Sequence, residues 1–286
     1  MTRAEVKESR TVLRRIEAHL RQSHLNLGAQ AETVGFVDVI HHRSSPLASL
    51  NYVTPRQNTA LVPTKDIQHG LANLRTKGLP VRVRFVEGLF PPFFASSLRD
   101  LGLNVESETL IMMYKAELDK PRKTPRVPSD VAIAYVNDHQ SMGIWWYVWR
   151  NAYYDVFTST AEPLFIGRDM QSVFEGQQLN LILYRHRFPV AVIRITRHEG
   201  TAHILAHAMM KEVRTPDWDK LIRTVALDAA LHSGCDLVFA TGTDEDERRL
   251  YREIGFIDSG TILSYAEVGE EKAKVDESPE QSILVI

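Results

Sequence analysis

Residues 235–256 read CDLVFATGTDEDERRLYREIGF, and this stretch decides the fold that we predict for the chain. Its apolar beginning predicts a strand at 236–241, and its charged, amphipathic continuation predicts a helix over 245–254. Gly255 and Phe256 then end the helix and turn the chain toward a further strand. A strand, a helix and another strand in this order are typical of a sheet with crossover helices.

The residues on either side extend the same pattern. The predicted elements are strands at 131–136, 179–187, 189–198 and 201–211, a strand pair near 257–267, and helices over 139–157, 163–175 and 216–233. Strands interleaved with helices predict an α/β (α+β) fold, in which helices flank a mixed sheet.

The N-terminal part has elements of its own. Apolar residues at helical spacing predict an opening amphipathic helix over 5–22 that covers a sheet. The runs VGFVDVIHH and SLNYV predict paired strands, and a helix follows around 66–77. Residues 79–118 read as a strand, a helix that begins at Pro91-Pro92, and a second strand from Leu110 to Tyr114.

Two segments lack apolar periodicity. DKPRKTPRVPSD, at 119–130, has three prolines and several charges, which indicates a linker, and we place that linker at 121–128. The tail at 269–286 is charged up to its apolar tip ILVI, and we expect it to be disordered. Docking of the tip on a sheet edge is the alternative.

Composition sets wide limits. The 286 residues are 44% hydrophobic and 24% charged, which is ordinary for a globular chain of about two domains. A net charge of −2 provides no basic field, so we expect no nucleic-acid partner. No apolar run approaches a bilayer span, so we expect no membrane partner and a cytoplasmic location. The single cysteine, Cys235, is expected to be buried.

The succession from 201 to 256 resembles the cofactor half of the GNAT family of acyltransferases, and YREIGF resembles that family's closing motif. The unit at 79–118 resembles the end of a second, degenerate copy. The resemblance implies two GNAT-like domains in tandem, each a mixed, mostly antiparallel sheet flanked by helices. Their expected bounds are 1–120 and 129–268.

The family transfers an acyl group from acyl-coenzyme A directly to an amine, and the resemblance implies this activity here. The donor would be acetyl-coenzyme A or another acyl-coenzyme A, without a metal. Tyr251 falls where the family has the tyrosine that protonates the leaving thiolate. TAHILAHAMMKEV, at 201–213, offers His203, His207 and Glu212 as bases, and an imidazole at His207 suits proton removal at neutral pH. Strand alternation places His203, Leu205, His207 and Met209 on one face.

The loop that should hold the coenzyme A pyrophosphate is altered. Members of the family have R-x-x-G-x-G/A there, whereas this chain reads Arg214-Thr215-Pro216-Asp217-Trp218-Asp219-Lys220. Two aspartates replace the glycines, and their charge opposes a pyrophosphate. The residues that the resemblance implies for cofactor binding are Met209, Met210, Lys211, Arg214, Trp218, Asp219, Lys220 and Asp244. The alternative is a helix start that Thr215 caps and that binds no cofactor, which explains the same sequence.

The run IWWYVWRNAYYDVF, at 144–157, is aromatic on nearly every helical face. In the family this helix walls the acceptor site, which implies Trp145, Trp146, Trp149 and Tyr153 as substrate-binding residues. A domain interface or a homodimer interface explains the same residues. The acceptor would be the amine of a small molecule, a protein or a peptide. The rival interpretation is a non-catalytic protein of this fold that has lost coenzyme A binding and binds a small molecule or a protein partner.

Overall fold

The computed structural model describes residues 3–59, 61–116, 126–154, 163–242 and 245–267. The chain divides into two compact units: unit 1 consists of Met1–Ile111 with Asp258–Ile286, and unit 2 of Met112–Ile257. Each unit contains a mixed, mostly antiparallel sheet flanked by helices, which confirms the predicted fold class. No helix in the described ranges is both long and apolar enough to cross a bilayer.

In the residues that the structure describes, unit 1 contains three helices and most of six strands. The helices are α1 (Arg3–Asn26), α2 (Thr64–Thr76) and α3 (Pro92–Asp100), and the strands are β1 (Gln30–Val34), β2 (Val37–His41), β3 (Tyr52–Pro55), β4 (Arg82–Val86), β5 (Leu103–Lys115) and β11 (Ile257–Glu267). Their order in the sheet is β1-β2-β3-β4-β11-β5. The β3–β4 pair is parallel, and β1–β2, β2–β3 and β4–β11 are antiparallel.

Helices α2 and α3 cover one face of this sheet. Alternate strand residues such as Val53, Val83 and Phe85 point into an apolar core with buried side chains of both helices. Gly70 lets α2 approach closely, because a Cβ there would lie 3.0 Å from a methyl group of Val53. Helix α1 was predicted to cover a sheet, and its Leu13 packs beside Gly260 of β11, where a Cβ would meet it at 3.0 Å.

The division into units differs from the expected domain bounds of 1–120 and 129–268. Strand β11 belongs to unit 1 because it pairs antiparallel with β4, from Ile262↔Val86 to Ala266↔Arg82. Its Leu263 and Tyr265 enter the core of unit 1. The predicted linker at 121–128 lies mostly outside the described residues, and the tail at 269–286 lies wholly outside them.

Unit 2 contains four helices and five complete strands in the described part of the chain. The helices are α4 (His139–Tyr154), α5 (Pro163–Phe174), α6 (Pro216–His232) and α7 (Glu245–Glu253), and the strands are β6 (Val131–Tyr135), β7 (Gln178–Arg185), β8 (Phe188–His198), β9 (Thr201–Met209) and β10 (Leu237–Gly242). The order is β10-β9-β8-β7-β6, with β9–β10 parallel and the other pairs antiparallel. Cys235 is buried, as predicted.

Most predicted elements are present with shifted ends. The structure adds β1, which the sequence patterns did not indicate, and β5 begins at Leu103, well before the strand expected around 110–114. The residues near 257–267 form the single strand β11 and not a pair of strands. Ser259-Gly260 is a dipeptide that often marks a turn, but β11 runs through it.

Candidate functional site

The central feature of unit 2 is an opening between β9 and β10. These parallel strands pair at Leu237↔Thr201, Val238↔Ala202 and Phe239↔His203, near their beginnings. Past that point β9 has a bulge: Ile204 pairs with Ile195 and Ala206 with Arg194, so Leu205 is an extra residue. A bulge bends the strand that carries it, and here it accompanies the separation of β9 from β10.

A cleft of about 400 Å³ lies at this opening. Its lining comes from β9, α6, α7 and the end of α4, and comprises Ala152, His207, Ala208, Met209, Arg214, Asp219, Arg223, Asp246, Glu247 and Leu250. The cleft therefore contains both cationic and anionic side chains. Several of the sequence-predicted site residues meet there, namely His207, Met209, Arg214 and Asp219.

The bulge also corrects the predicted alternation along β9. His207 lies opposite Ile193, whereas His203 lies opposite Thr196, a residue of the other side of β8. The two histidines therefore lie on opposite faces of the sheet. His203 stacks on Phe239 with ring centroids 4.3 Å apart, and its Nε2 lies 3.2 Å from Thr241 Oγ1. His207 is the histidine that lines the cleft.

His207 is held by Asp219, the first-turn aspartate of α6. Its Nε2 lies 3.4 Å from Asp219 Oδ1, and the same carboxylate forms an ion pair with Arg223 one turn later. Burial opposes ionisation of Asp219, but the hydrogen bond from His207 and the charge of Arg223 outweigh it and lower its pKa. Asp219 is thus a charged residue whose Oδ1 already has two partners within the protein.

Arg223 is the residue of this cluster that the sequence did not single out. Its side chain is 2% exposed, and besides Asp219 it approaches Glu247 Oε1 of α7 at 3.6 Å. The spacing of Asp219 and Arg223 by four residues on a helix was the available signal. What the sequence could not show is that this pair is turned inward.

Tyr251, the predicted proton donor, lies beneath Arg223. It is 6% exposed, and the guanidinium carbon of Arg223 lies 5.1 Å from its ring centroid. Burial raises the pKa of Tyr251 to about 12, although Arg223 acts in the opposite direction. Tyr251 is not among the residues that line the cleft, and Arg223, which is, stands over its ring.

The beginning of α6 offers few backbone donors. Thr215 is the N-cap and accepts from Trp218 N at 3.4 Å, while Asp219 N donates to Thr215 O at 3.0 Å. Pro216 has no N–H, so the first turn has the Asp217 N–H left to offer among the described residues. Asp217 itself is exposed and adds a negative charge there. This helix start fits a pyrophosphate poorly.

Arg214 occupies the cleft side of the β9 terminus. Its Nε donates to Met209 O at 3.0 Å, and its guanidinium also donates to Ala152 O of α4. The backbone of α4 and the end of β9 are thereby linked through one cation. One lone pair of the Met209 carbonyl, at the mouth of the strand opening, is consequently used.

The remaining predicted cofactor residues lie around this site in different roles. Met210 N donates to Val190 O at 2.8 Å, and Lys211 is exposed. Trp218 packs at the margin of the apolar core, and Lys220 forms a 2.8 Å ion pair with Glu253. Asp244 lies outside the described residues.

The tryptophans of α4 form a buried cluster and are not part of the cleft lining. Trp145 and Trp146 are 0% and 1% exposed, and Trp149 stacks on Trp145 at 5.5 Å. Trp145 Nε1 donates to Ile193 O at 3.0 Å. The side chain of Tyr153 lies outside the described residues.

A buried ion pair accounts for the indole cluster. Arg194 lies 4.3 Å from the Trp145 ring centroid and pairs with Asp169, to which Trp146 Nε1 also donates at 3.1 Å. Cation–π contacts and hydrogen bonds to charge are strong where water is excluded, so these tryptophans stabilise the packing of α4 and α5 on β8.

Comparison with known proteins bears on the fold of the chain. No protein-family model and no curated protein sequence matches the chain. Among solved structures, it is similar to a GCN5-related N-acetyltransferase from Kribbella flavida, with a TM-score of 0.69 and 16% identity over 91% of this chain and 97% of that one.

It is also similar to a tandem GNAT protein from the clavulanic acid biosynthesis pathway, with a TM-score of 0.58 and 12% identity over 82% of this chain and 79% of that one. L-PGS from Bacillus licheniformis matches with a TM-score of 0.52 and 12% identity over 95% of each chain. At such identities the likeness shows the fold alone, and the predicted tandem GNAT fold is confirmed.

Proposed function

We propose that unit 2 is an acyl-coenzyme A-dependent N-acyltransferase whose reaction takes place in the cleft between β9 and β10. The observation that supports this most is the strand opening itself. The two strands separate after His203↔Phe239, at the bulge of Leu205, and a cleft of about 400 Å³ follows. Such a gap exposes backbone groups of a parallel pair that a continuous sheet would conceal.

The reactive end of the cleft suits direct transfer to an amine. An acyl thioester supplies an electrophilic carbon, and the attacking amine must lose a proton. His207 lines the cleft and is oriented by Asp219 at 3.4 Å, so its imidazole is placed to accept that proton. Positioning in the cleft contributes more to such a reaction than covalent assistance does.

Tyr251 is the proposed source of the proton that the leaving thiolate takes up. Its phenol stays protonated across ordinary assay pH because its pKa is about 12. Arg223 stands over its ring and pairs with Asp219 and Glu247 at the cleft. Proton delivery therefore requires this guanidinium to shift when the donor binds.

The phosphate-bearing end of the donor would depend on side chains. The first turn of α6 has one N–H to offer in the described residues and carries Asp217, so backbone capture of a pyrophosphate is weak. Arg214 is the cation at that end, and it would exchange the carbonyls of Met209 and Ala152 for phosphate oxygens.

One observation favours a second candidate, a non-catalytic protein of this fold. Arg214 links Met209 O to Ala152 O, so the cation that would meet the phosphates is already engaged within the protein. Asp217 adds repulsion toward phosphates at the same place. A protein that no longer binds coenzyme A would retain such contacts.

Calorimetric titration with acetyl-coenzyme A and with a long-chain acyl-coenzyme A separates the two candidates. Micromolar binding of either donor, and release of coenzyme A thiol in the presence of an amine panel, are the expected results. Ala208→Trp, which fills the cleft, should abolish binding, whereas Ala132→Trp on exposed β6 should not. Absence of binding to both donors would refute the acyltransferase and leave the non-catalytic candidate.

A further inference from the structure

Unit 1 contains a cavity of its own between α1 and the sheet. Its volume is about 30 Å³, which is room for roughly two water molecules. The polar residues that line it are Glu17, Arg21 and His24 of α1, Asp38 of β2, Tyr52 and Thr54 of β3, Gln57, and Arg84 of β4. Glu17, Arg21 and His24 form one stripe of α1, at intervals of three and four residues.

A polar cavity at this place is unexpected, because an interface between a helix and a sheet is normally apolar. The opposite face of the same sheet is packed with valine, leucine and phenylalanine. Burying charged groups without partners costs more than an apolar replacement would. We therefore expect a bound ligand to compensate the charge that is buried in this cavity.

Most charges in the cavity compensate one another. Arg21 Nη2 donates to Asp38 Oδ2 at 2.8 Å, and Thr33 Oγ1 donates to Asp38 Oδ1 at 2.8 Å. His24 Nδ1 lies 2.7 Å from the Tyr52 hydroxyl. Burial, together with the charge of Arg84, lowers the pKa of His24 to about 3, so this histidine is neutral.

Arg84 is the exception. Among the residues that the structure describes, no hydrogen-bond acceptor and no carboxylate pairs with its guanidinium, whose contact is the face of Tyr52, 5.7 Å from the ring centroid. Arg21 Nε and Glu17 Oε1 are also buried without hydrogen-bond partners. An arginine has five N–H donors in a planar fork, so several donors point into this cavity unused.

We propose that the cavity of unit 1 binds the carboxylate of a small monocarboxylic acid, with Arg84 as its ion-pair partner. The planar fork of Arg84 matches a carboxylate in a bidentate pair, and Arg21 Nε supplies a further donor. The inner volume, room for roughly two water molecules, suits the carboxylate group itself and restricts any substituent to a short one. Asp38 and Glu17 oppose a ligand of higher negative charge, which disfavours a phosphate dianion.

Glu17 makes this binding dependent on pH. Burial raises the pKa of Glu17 to about 7, against the opposing charges of Arg14 and Arg21. The other charged or titratable groups that line the cavity are Arg21, His24, Asp38, Tyr52 and Arg84. A protonated Glu17 leaves the lining with one uncompensated positive charge, and an ionised Glu17 removes it. Affinity for a monocarboxylate should therefore fall as pH rises through about 7.

The test is a titration of the full chain in carboxylate-free buffer with acetate, propionate, benzoate and inorganic phosphate, followed by calorimetry and by thermal shift. We expect saturable binding of at least one short monocarboxylate and weaker binding of phosphate. An acetylated tripeptide with a free C-terminus, compared with its amide, distinguishes a peptide end from a free acid as the source of the carboxylate.

Two variants on one strand supply the decisive comparison. Arg84→Met should weaken carboxylate binding at least tenfold, whereas Arg82→Met, which breaks a surface pair with Glu106, should leave it unchanged. Glu17→Gln should remove the decline of affinity between pH 6 and pH 8. Binding that is absent in the parent, equal in Arg84→Met, or stronger for phosphate would overturn the proposal.

Because this cavity is built from unit 1 alone, its test does not depend on unit 2. Ala208→Trp fills the cleft of unit 2 and should leave carboxylate binding intact.

Discussion

The guanidinium of Arg223 lies over the ring of Tyr251, 5.1 Å from its centroid, and separates that tyrosine from the cleft of unit 2. The same guanidinium pairs with Asp219 and Glu247. One buried cation therefore connects the start of α6, the start of α7 and the proposed proton donor.

Arg223→Met should reduce the free energy of unfolding by roughly 2–4 kcal/mol, because it leaves Asp219 and Glu247 without their buried counter-charge. Lys220→Met is the matched control on the same helix. Its pair with Glu253 is exposed at 49% and 42%, so its loss should change stability by less than about 1 kcal/mol. Urea denaturation of both variants at neutral pH measures the difference. Equal effects would show that Arg223 is not a structural centre of the site.

Tyr251→Phe should lower kcat for acyl transfer by about 100-fold, because the variant has no phenol to protonate the departing thiolate. The dissociation constant of the donor should stay unchanged. The ring contacts with Arg223 and Phe256 persist in the variant, so its stability should be near that of the parent. Steady-state kinetics and calorimetry provide the two readings. An unaltered kcat would remove Tyr251 from the mechanism.

Asp217→Asn should tighten acyl-coenzyme A binding several-fold, because it removes a like charge from the start of α6 while the backbone stays the same. Asp217→Gly tests in addition whether closer backbone approach helps. Asp219 is unsuitable for this purpose, since its carboxylate holds His207 and Arg223 and its removal would disturb both. If neither substitution changes the affinity, charge at this position does not limit donor binding.

Local patterns were sufficient for most helices and strands, because an amphipathic helix such as α6 and an alternating strand such as β4 carry their periodicity in the sequence. Pairing was not predictable in the same way. The alternation of residues from Ile262 to Ala266 is compatible with a strand in the sheet of either unit. Only tertiary contacts place β11 beside β4.

The site shows the same limit. The resemblance implied His207, Met209, Arg214 and Asp219 as site residues, and all four line the cleft. The bulge at Leu205 reversed the face of His203, and no residue type in TAHILAHAM marks a bulge. The resemblance implied Trp145 and Trp146 as substrate-binding residues. The sequence does not show that both are buried together with Arg194 and Asp169.

The parent protein should lose stability as the pH rises from acid to neutral, and Glu17→Gln should not. The pKa of Glu17 is raised from 4.5 to about 7 by burial, so the folded state binds the proton more tightly than the unfolded state does. The stabilisation from this proton is complete below pH 4.5 and is lost as pH rises through about 7. The pKa difference corresponds to at most about 3.5 kcal/mol of stability, since each pKa unit is worth about 1.4 kcal/mol. Urea denaturation of the ligand-free protein between pH 4.5 and pH 8 should show this decline in the parent and in Glu8→Gln, an exposed control on α1, but not in Glu17→Gln. Parallel profiles for all three proteins would show that Glu17 titrates as an ordinary surface carboxylate, and the pH dependence assigned to the unit 1 cavity would then be wrong.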